Sequence, residues 1–441
     1  MNGVEENIQR MLEHAEEMRR IAFSFENPLI VSHYDCDGIA ARAIVEYAFR
    51  REWKKYRAVS IKKLDEKAIE KLRREREIIF VDLGSGNEMV NELRDVIIID
   101  HHQPVRIEKQ QINPWMFGMD GGSEVSSSGV ASIVFGCRRD LAVVGALGDM
   151  QYPFKSVNRY IVDEGKRKGE VEEEYDITLY GRHSRPLHAF LAYSDEPYIP
   201  TISYNEENAM KLLSEIGLEI KKGEGWRTYS DLSRSERRKL ISALADIMIE
   251  YDMDVGGLVG EVYSLPNYDE KSIMHDAHEF ATMLNACGRH HEPDVGVEAA
   301  LENELAYGKA EELLRVHKNS IREGVAFAKS NMIDFGYFYF IDGRKKIYEG
   351  IIGIVCGMVI RVSYEKPIIG ISESEEGGIK VSSRGNRKML ERGLNLGRIM
   401  REAAESVGGV GGGHHLAAGA EIPKDRINEF LLAVGIELKR L

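Results

Sequence analysis

Only four cysteines occur in 441 residues, and Cys36, Cys137, Cys287 and Cys356 lie far apart with no CxxC pair. That spacing argues against a disulfide framework and against a thiolate zinc site. A reducing, cytoplasmic compartment is expected. Prolines number 11, and neither an internal repeat nor a low-complexity tract is visible, which argues against disordered or fibrous architecture. No apolar run approaches the roughly 18 residues that a membrane span needs. The opening MNGVEENIQRMLEHAEEMRR lacks the apolar segment of a secretory signal. Positive charge is also short, with Lys and Arg totalling 59 against 72 for Asp and Glu, a net charge of −13. Proteins that simply coat nucleic acid are usually basic. A polyanionic substrate would therefore have to be met by a local basic groove or by bound cations.

What is present is an ordinary globular composition, 43% hydrophobic and 30% charged. The length suggests two or three domains at about 150 residues each. Residues 4–24 read as an amphipathic helix. Strands at 28–35, 57–64, 77–84 and 96–102 then alternate with helices at 37–53, 65–75 and 87–95. This alternation predicts a parallel sheet covered on both faces, and the unbroken apolar runs IIFV and VIII agree with it. Helical patterns dominate from 186 to 330, including the capping box Ser233–Glu236 and the helix 275–289. Beyond 336 the pattern mixes again. YFYFIDGRKKIYEG reads as a hairpin with Asp-Gly in the turn, PIIGISE and GIKVSS as paired strands, 394–407 as a helix, HHLAAGAEIP as a strand and 424–438 as a closing helix. The expected fold class is α/β: an N-terminal parallel-sheet domain (1–185), a helical connector (186–335) and a smaller C-terminal α/β domain (336–441).

Four segments of the first domain place acidic or histidine residues where strands are expected to end, the position at which open parallel sheets bind ligands. His33, Asp35 and Asp37 have the two-residue spacing of one strand face, and Gly38 permits a tight turn into the following helix. Asp82 ends IIFV, Asp100, His101 and His102 end VIII, and Asp149 follows LAVVGALG. Gathering so many carboxylates is costly without cations. Carboxylate and imidazole donors without thiolate favour Mn²⁺ or a similar ion, and a bridging carboxylate such as Asp82 could hold two ions roughly 3.5–4 Å apart. A lone Asp at a strand end is usually a cap or turn former, and only the succession of four lifts this set above that reading.

In GGVGGGHHLAAGA (408–420), Gly411, Gly412 and Gly413 before His414 leave backbone amides free to approach an anion. SSRGNRK (382–388) adds Ser383, Arg384 and Arg387, and a guanidinium such as Arg384 can grip phosphate bidentately. Arg387 and Lys388 read equally well as a solvated helix start. His290-His291 reads as a surface loop. His275, Asp276, His278 and Glu279 read as a polar helix face, since HEFAT is not HExxH. Trp226 and Tyr229 are candidate stacking aromatics.

These residues resemble the DHH phosphoesterase superfamily. SHYDCDG (32–38), VDLG (81–84), IDHH (99–102) and GALGD (145–149) are similar to its four motifs in order, and GGGHHLAAG (411–419) is similar to the glycine-rich signature of its DHHA1 partner domain. AHEFATMLNACGR (277–289) points within the superfamily to archaeal RecJ-like exonucleases. The resemblance implies two Mn²⁺ ions, with Mg²⁺ the alternative. His33 and Asp35 would hold one, Asp37, His101 and Asp149 the other, and Asp82 would bridge. His102 would contact the scissile phosphate or assist proton transfer, and Asp100 would orient it. Ser383, Arg384, Arg387, Gly411–Gly413 and His414 would bind substrate phosphates. The implied activity is exonucleolytic cleavage of single-stranded DNA or RNA in replication or repair, with a GINS-like replication factor as a candidate partner. Two other readings stay open: a phosphodiesterase for short oligonucleotides or cyclic dinucleotides, and a binding component of the replisome.

Overall fold

The computed structural model describes residues 3–194, 197–360 and 364–440. The chain divides into two compact units, Met1–Leu314 and Arg315–Leu441.

The first unit opens with α1 (Gly3–Ser24), β1 (Leu29–His33), α2 (Cys36–Arg51), β2 (Arg57–Ile61), α3 (Glu66–Leu72), β3 (Glu77–Val81), β4 (Asp95–Ile99) and β5 (Gln110–Ile112). The five strands form one sheet in the order β2-β1-β3-β4-β5, parallel throughout. Alternate residues enter separate cores: Val31, Ile78, Phe80 and Ile98 on one face, Ile30, Ile79, Ile97 and Ile99 on the other. Each such side chain contributes roughly 1.5–3 kcal/mol by burial, so the sheet is covered on both faces, as the unbroken apolar strands predict. The helix expected at 87–95 is only a 3₁₀ turn, Glu88–Glu92, because the Asn87 side chain accepts from the Met89 amide two residues on and tightens the turn.

Next come α4 (Ser127–Phe135), α5 (Arg139–Gly148) and α6 (Ser156–Lys168). The apolar run ahead of Asp149 is therefore a helix, not a strand, and Asp149 is its C-cap. Leu141, Ala142, Val143, Val144 and Ala146 are all buried, and a helix buried on every side has no polar face to betray its period.

A subdomain follows: β6 (Glu172–Ile177), α7 (Leu187–Ala192), α8 (Glu206–Glu215), the short hairpin β7 (Lys221–Lys222) and β8 (Gly225–Trp226), α9 (Arg234–Glu250) and β9 (Val259–Ser264). β6 pairs antiparallel with β9, and the elements between them enclose their own core. The capping box at Ser233 and Glu236 starts α9. Then α10 (Ala277–Arg289) and α11 (Pro293–Ala300) return to pack on α2, burying Phe280, Met283, Leu284 and Val297 in the core that also holds Ile39 and Val144.

Helix α12 (Glu304–Asn331) continues the chain into the second unit, where β10 (Ile333–Asp334), β11 (Tyr339–Asp342), α13 (Glu349–Val359), β12 (Ile368–Glu373), β13 (Ile379–Arg384), α14 (Arg387–Glu391), α15 (Leu396–Ser406), β14 (Val410–Gly413), β15 (Ala417–Ile422) and α16 (Ile427–Lys439) follow. The sheet order is β10-β11-β12-β13-β15-β14. PIIGISE and GIKVSS pair antiparallel as β12 and β13. The hairpin expected at Asp342-Gly343 does not form. β11 instead runs parallel to β12, and the chain turns at Gly343, whose amide donates to Ile371 O at 2.9 Å, before entering α13.

Candidate metal centre

β1 ends on His33 and the chain turns at once into α2. Asp35 caps that helix, its Oδ1 accepting from the Gly38 amide at 3.1 Å, while its Oδ2 lies 2.9 Å from His33 Nδ1. Asp37, in the first helical turn, is buried. Its carboxylate accepts from the amides of Ser127 (2.6 Å) and Ser128 (3.0 Å) at the start of α4, where a helix N-terminus favours negative charge. Asp82 follows β3 with a positive φ of 62°, a left-handed conformation that Asp tolerates better than most residues but that still costs of order 1 kcal/mol. Its amide remains tied to Ile99 O at 3.0 Å. From this turn its carboxylate reaches within 3.4 Å of His33 Nδ1 and 3.5 Å of His101 Nε2.

After β4, Asp100 is fully buried and collects the amides of Ser85 (2.9 Å), His101 (2.8 Å) and His102 (3.2 Å) as well as His102 Nδ1 (2.8 Å). His101 Nδ1 lies 2.8 Å from Gly121 O. A carbonyl only accepts, so the proton sits on Nδ1 and Nε2 is left as a donor atom facing Asp82. Asp149 lies 3.7 Å from the His101 ring.

Potential ligand atoms converge in three overlapping groups, each within 4.8 Å: His33, Asp35 and Asp82; Asp82, His101 and His102; Asp37, His101 and Asp149. At the centre, Asp82 Oδ1 is buried without a hydrogen bond, and His33 Nδ1 faces only the carboxylates of Asp35 and Asp82. An unpartnered buried carboxylate oxygen is costly, and a divalent cation would satisfy it. The donor set is oxygen and nitrogen; Cys36, though adjacent, directs its sulfur to Val144 O. Such donors suit Mn²⁺ or Mg²⁺.

The electrostatics express the same crowding. Burial and the nearby carboxylates of Asp35 and Asp37 push the Asp82 carboxyl well above its usual range. Burial and Asp37 push Asp149 up to about 6. Burial opposes charge on His33, yet Asp35 and Asp82 raise it to about 11, and His33 in turn overcomes burial to hold Asp35 down to about 2. Without metal, a protonated imidazole partly takes the place of a cation.

Sequence reasoning missed several supports. The amides of Ser127 and Ser128 are one, flagged only by the Ser-rich helix start 126–128. Gln151 is another, donating to Asp149 Oδ2 and Gly121 O, both at 2.8 Å. Asn285 Oδ1 accepts from the Cys36 amide at 3.2 Å. A pocket of about 300 Å³ beside the cluster is lined by His33, Asp82, His102, Asn87, Lys62 and Lys63.

Elsewhere in the first unit two expectations are corrected. Asp276 and Glu279 are not on a polar helix face but buried. Asp276 pairs with Arg182 and caps α10, and Glu279 accepts from the His183 amide at 2.9 Å. The charged pattern marks a buried ion pair that periodicity cannot distinguish from a wet face. Tyr229 is buried and its hydroxyl donates to Asp176, so it offers no stacking surface, whereas Trp226 is exposed with Lys221 over its ring.

In the second unit, Gly411–Gly413 are strand β14 rather than a loop, paired with β15 at the sheet edge. His414 is exposed. Ser383 is fully buried and its hydroxyl donates to Ala418 O, so it cannot meet a substrate. Arg384 is half-buried beside Gly353 of α13, and Arg387 is exposed, 3.8 Å from Glu391.

Comparison with known proteins agrees with this anatomy. The DHH family, N-terminal domain, matches residues 27–144, the DHH-CID domain residues 179–258 and the DHHA1 domain residues 335–439. The uncharacterised protein MJ0831 of Methanocaldococcus jannaschii is 33% identical over 98% of this chain and 100% of its own length. The Mn²⁺ complex of RecJ from Thermus thermophilus superposes with a TM-score of 0.59 at 16% identity, over 98% of this chain. The chain spans only 55% of that RecJ's length. CDC45 from Entamoeba histolytica matches with a TM-score of 0.60 at 13% identity, over 98% of this chain and 99% of that one. The three matched domains in order identify the chain as a member of the DHH/DHHA1 family, with a fold shared with RecJ.

Proposed function

We propose that this protein is a two-metal phosphodiesterase that removes nucleotides from an end of single-stranded DNA or RNA. The observation that carries the reading is the convergence of His33, Asp35, Asp37, Asp82, His101 and Asp149 around a buried Asp82 oxygen with no hydrogen bond. His33 and Asp35 would hold one cation, Asp37, His101 and Asp149 a second, with Asp82 shared. When bound, the pair would supply an activated water and neutralise charge on the phosphodiester. The protein's own groups supply orientation. Asp100 holds the Nδ1–H of His102, which leaves Nε2 of that half-exposed ring to donate to a phosphate oxygen or to move a proton. Lys62 and Lys63 line the adjoining pocket, cations that a polyanion could meet in a chain whose net charge is −13. Arg384, Arg387, His414 and the Gly411–Gly413 backbone of the DHHA1 domain are the proposed grip on further phosphates. The RecJ exonuclease fold supports a nucleic-acid substrate over pyrophosphate. A role in replication, with a GINS-like partner, is the reading that the resemblance of the motifs implies; the complete set of candidate ligands favours catalysis over a purely scaffolding part.

The test is incubation with Mn²⁺ and end-labelled single-stranded DNA and RNA, in parallel with duplex DNA, pyrophosphate and a cyclic dinucleotide. The expected result is metal-dependent release of mononucleotides from single strands. Preferential cleavage of the cyclic dinucleotide would move the substrate to the short-phosphodiester reading, and no hydrolysis of any substrate would refute the enzyme.

A further inference from the structure

Helix α10 touches the turn that carries Asp35 and Asp37 at two points, one helical turn apart. At the first, Asn285 Oδ1 accepts from the Cys36 amide at 3.2 Å. Cys36 is the first residue of α2, and its N–H is one of the donors that a helix start leaves without an intrahelical partner. The Asp35 carboxylate is directed elsewhere, Oδ1 to the Gly38 amide and Oδ2 to His33 Nδ1. At the second, Gly288 lies so close to the Tyr34 carbonyl that a Cβ built there would sit 1.9 Å from the oxygen and 3.6 Å from Asp35 Cα. Only glycine fits this contact. Together the two contacts bear on the backbone from Tyr34 to Cys36, on either side of Asp35.

The remaining supports of this turn come from other directions. Ser127 and Ser128 hold the Asp37 carboxylate, and Gly38 holds that of Asp35. None of them bears on the Cys36 amide. At its other end α10 is anchored by Asp276, whose Oδ1 accepts from the His278 and Glu279 amides and whose Oδ2 is gripped by the Arg182 guanidinium. The helix is thus fixed at its N-terminus and presents Asn285 and Gly288 to the metal-site turn from a rigid base.

We propose that Asn285 is a positioning residue for the metal centre: by accepting from the Cys36 amide it holds Asp35 and Asp37 at the separation at which each can serve a different cation. This rests on the reading of Asp35 and Asp37 as metal ligands. The side chain makes no claim on substrate in this role. Its requirement is an acceptor oxygen at that position, which Asp also provides and Leu, of similar size, does not.

The test compares the full-length protein with Asn285→Leu and Asn285→Asp. Mn²⁺ binding is measured by calorimetry and by the loss of free Mn²⁺ signal in electron paramagnetic resonance, alongside the melting temperature of each metal-free protein. Asn285→Leu is expected to bind Mn²⁺ about 10- to 100-fold more weakly, the usual effect of losing a partner that orients a ligand, with a folded, cooperatively melting metal-free state. Asn285→Asp is expected to retain affinity within a few-fold. Equal affinity in all three proteins overturns the inference while leaving the metal site standing. Weakened binding in Asn285→Asp to the same degree as in Asn285→Leu also overturns it, since the acceptor would then not be what matters. Absence of Mn²⁺ binding by the unaltered protein removes the site reading itself, and the inference with it.

Discussion

His102 Nδ1 lies 2.8 Å from Oδ1 of the fully buried Asp100. Asp100 accepts from three backbone amides as well. Burial works against its charge, but His102 and these donors hold its carboxyl down to about 2. A carboxylate in that state can only accept, so His102 donates through Nδ1 and keeps Nε2 for other work. Asp100→Asn replaces an acceptor with a donor and should lower kcat about 10- to 100-fold with little change in Mn²⁺ affinity. Steady-state kinetics beside metal calorimetry check this; a parallel loss of metal would make Asp100 a ligand instead.

Asp82 is a buried carboxyl among carboxylates, held at a positive φ. Asn tolerates the left-handed region as well as Asp does. Asp82→Asn should therefore abolish two-ion binding and hydrolysis while raising the melting temperature of the metal-free protein by about 1 °C for each ~1 kcal/mol of repulsion relieved. Scanning calorimetry in chelator decides; a lower melting temperature would mean that the carboxylate is already compensated without metal.

Metal binding should be pH-dependent with a definite sign. In the metal-free protein, His33 carries a proton up to about pH 11 because Asp35 and Asp82 outweigh burial. A cation must displace that proton. Mn²⁺ affinity should rise with pH, by about tenfold per unit for one proton released, and calorimetry in buffers of different ionisation enthalpy should register the release. The stability linkage runs the other way. The raised His33 contributes stability that is complete below its ordinary pKa of about 6.5 and is lost as pH climbs towards about 11. Asp35, held down to about 2, contributes stability above about pH 4 that is lost as pH falls through about 2.

Much of this centre can be read from residue order alone. His33 ends one parallel strand, and Asp82 and Asp100 follow two others, because unbroken runs such as IIFV and VIII leave little choice of environment. Asp149 belongs to the same cluster but reaches it from a buried helix, whose apolar run Leu141–Gly148 has no readable period. What sequence cannot show is support from a distance. Asn285 meets Cys36 across 249 positions, Ser127 meets Asp37 across 90, and a backbone amide leaves no trace in residue type. Buried charge is illegible for a related reason: Asp276 and Glu279 look solvent-seeking until Arg182 and the His183 amide are seen beside them.

The buried pair of Arg182 and Asp276 makes a stability prediction. Both are shielded from water, and removing one partner strands the other charge. Either Arg182→Ala or Asp276→Ala should cost about 3–5 kcal/mol, and the double substitution less than the sum. Denaturant titration measures all three. Burial opposes charge on Asp276 but Arg182 keeps its pKa below the usual value, so its contribution is present above about pH 4 and fades as pH falls through that lowered value.

The glycines of β14 divide by function. A Cβ on Gly411 would lie 2.3 Å from Met400 O of α15, whereas one on Gly412 meets nothing within 4 Å. Gly411→Ala should destabilise the DHHA1 domain by about 1–3 kcal/mol through overpacking, while Gly412→Ala should melt normally. If Gly412→Ala nevertheless weakens oligonucleotide binding, the backbone there is the substrate contact rather than a packing element.

The central claim is a pair of cations sharing Asp82. Mn²⁺ titration of the full-length protein followed by electron paramagnetic resonance tests it most directly. The account predicts two ions per chain with an exchange-coupled spectrum, and loss of that coupling in Asp82→Asn. A single uncoupled ion per chain, or coupling that survives the substitution, would contradict it.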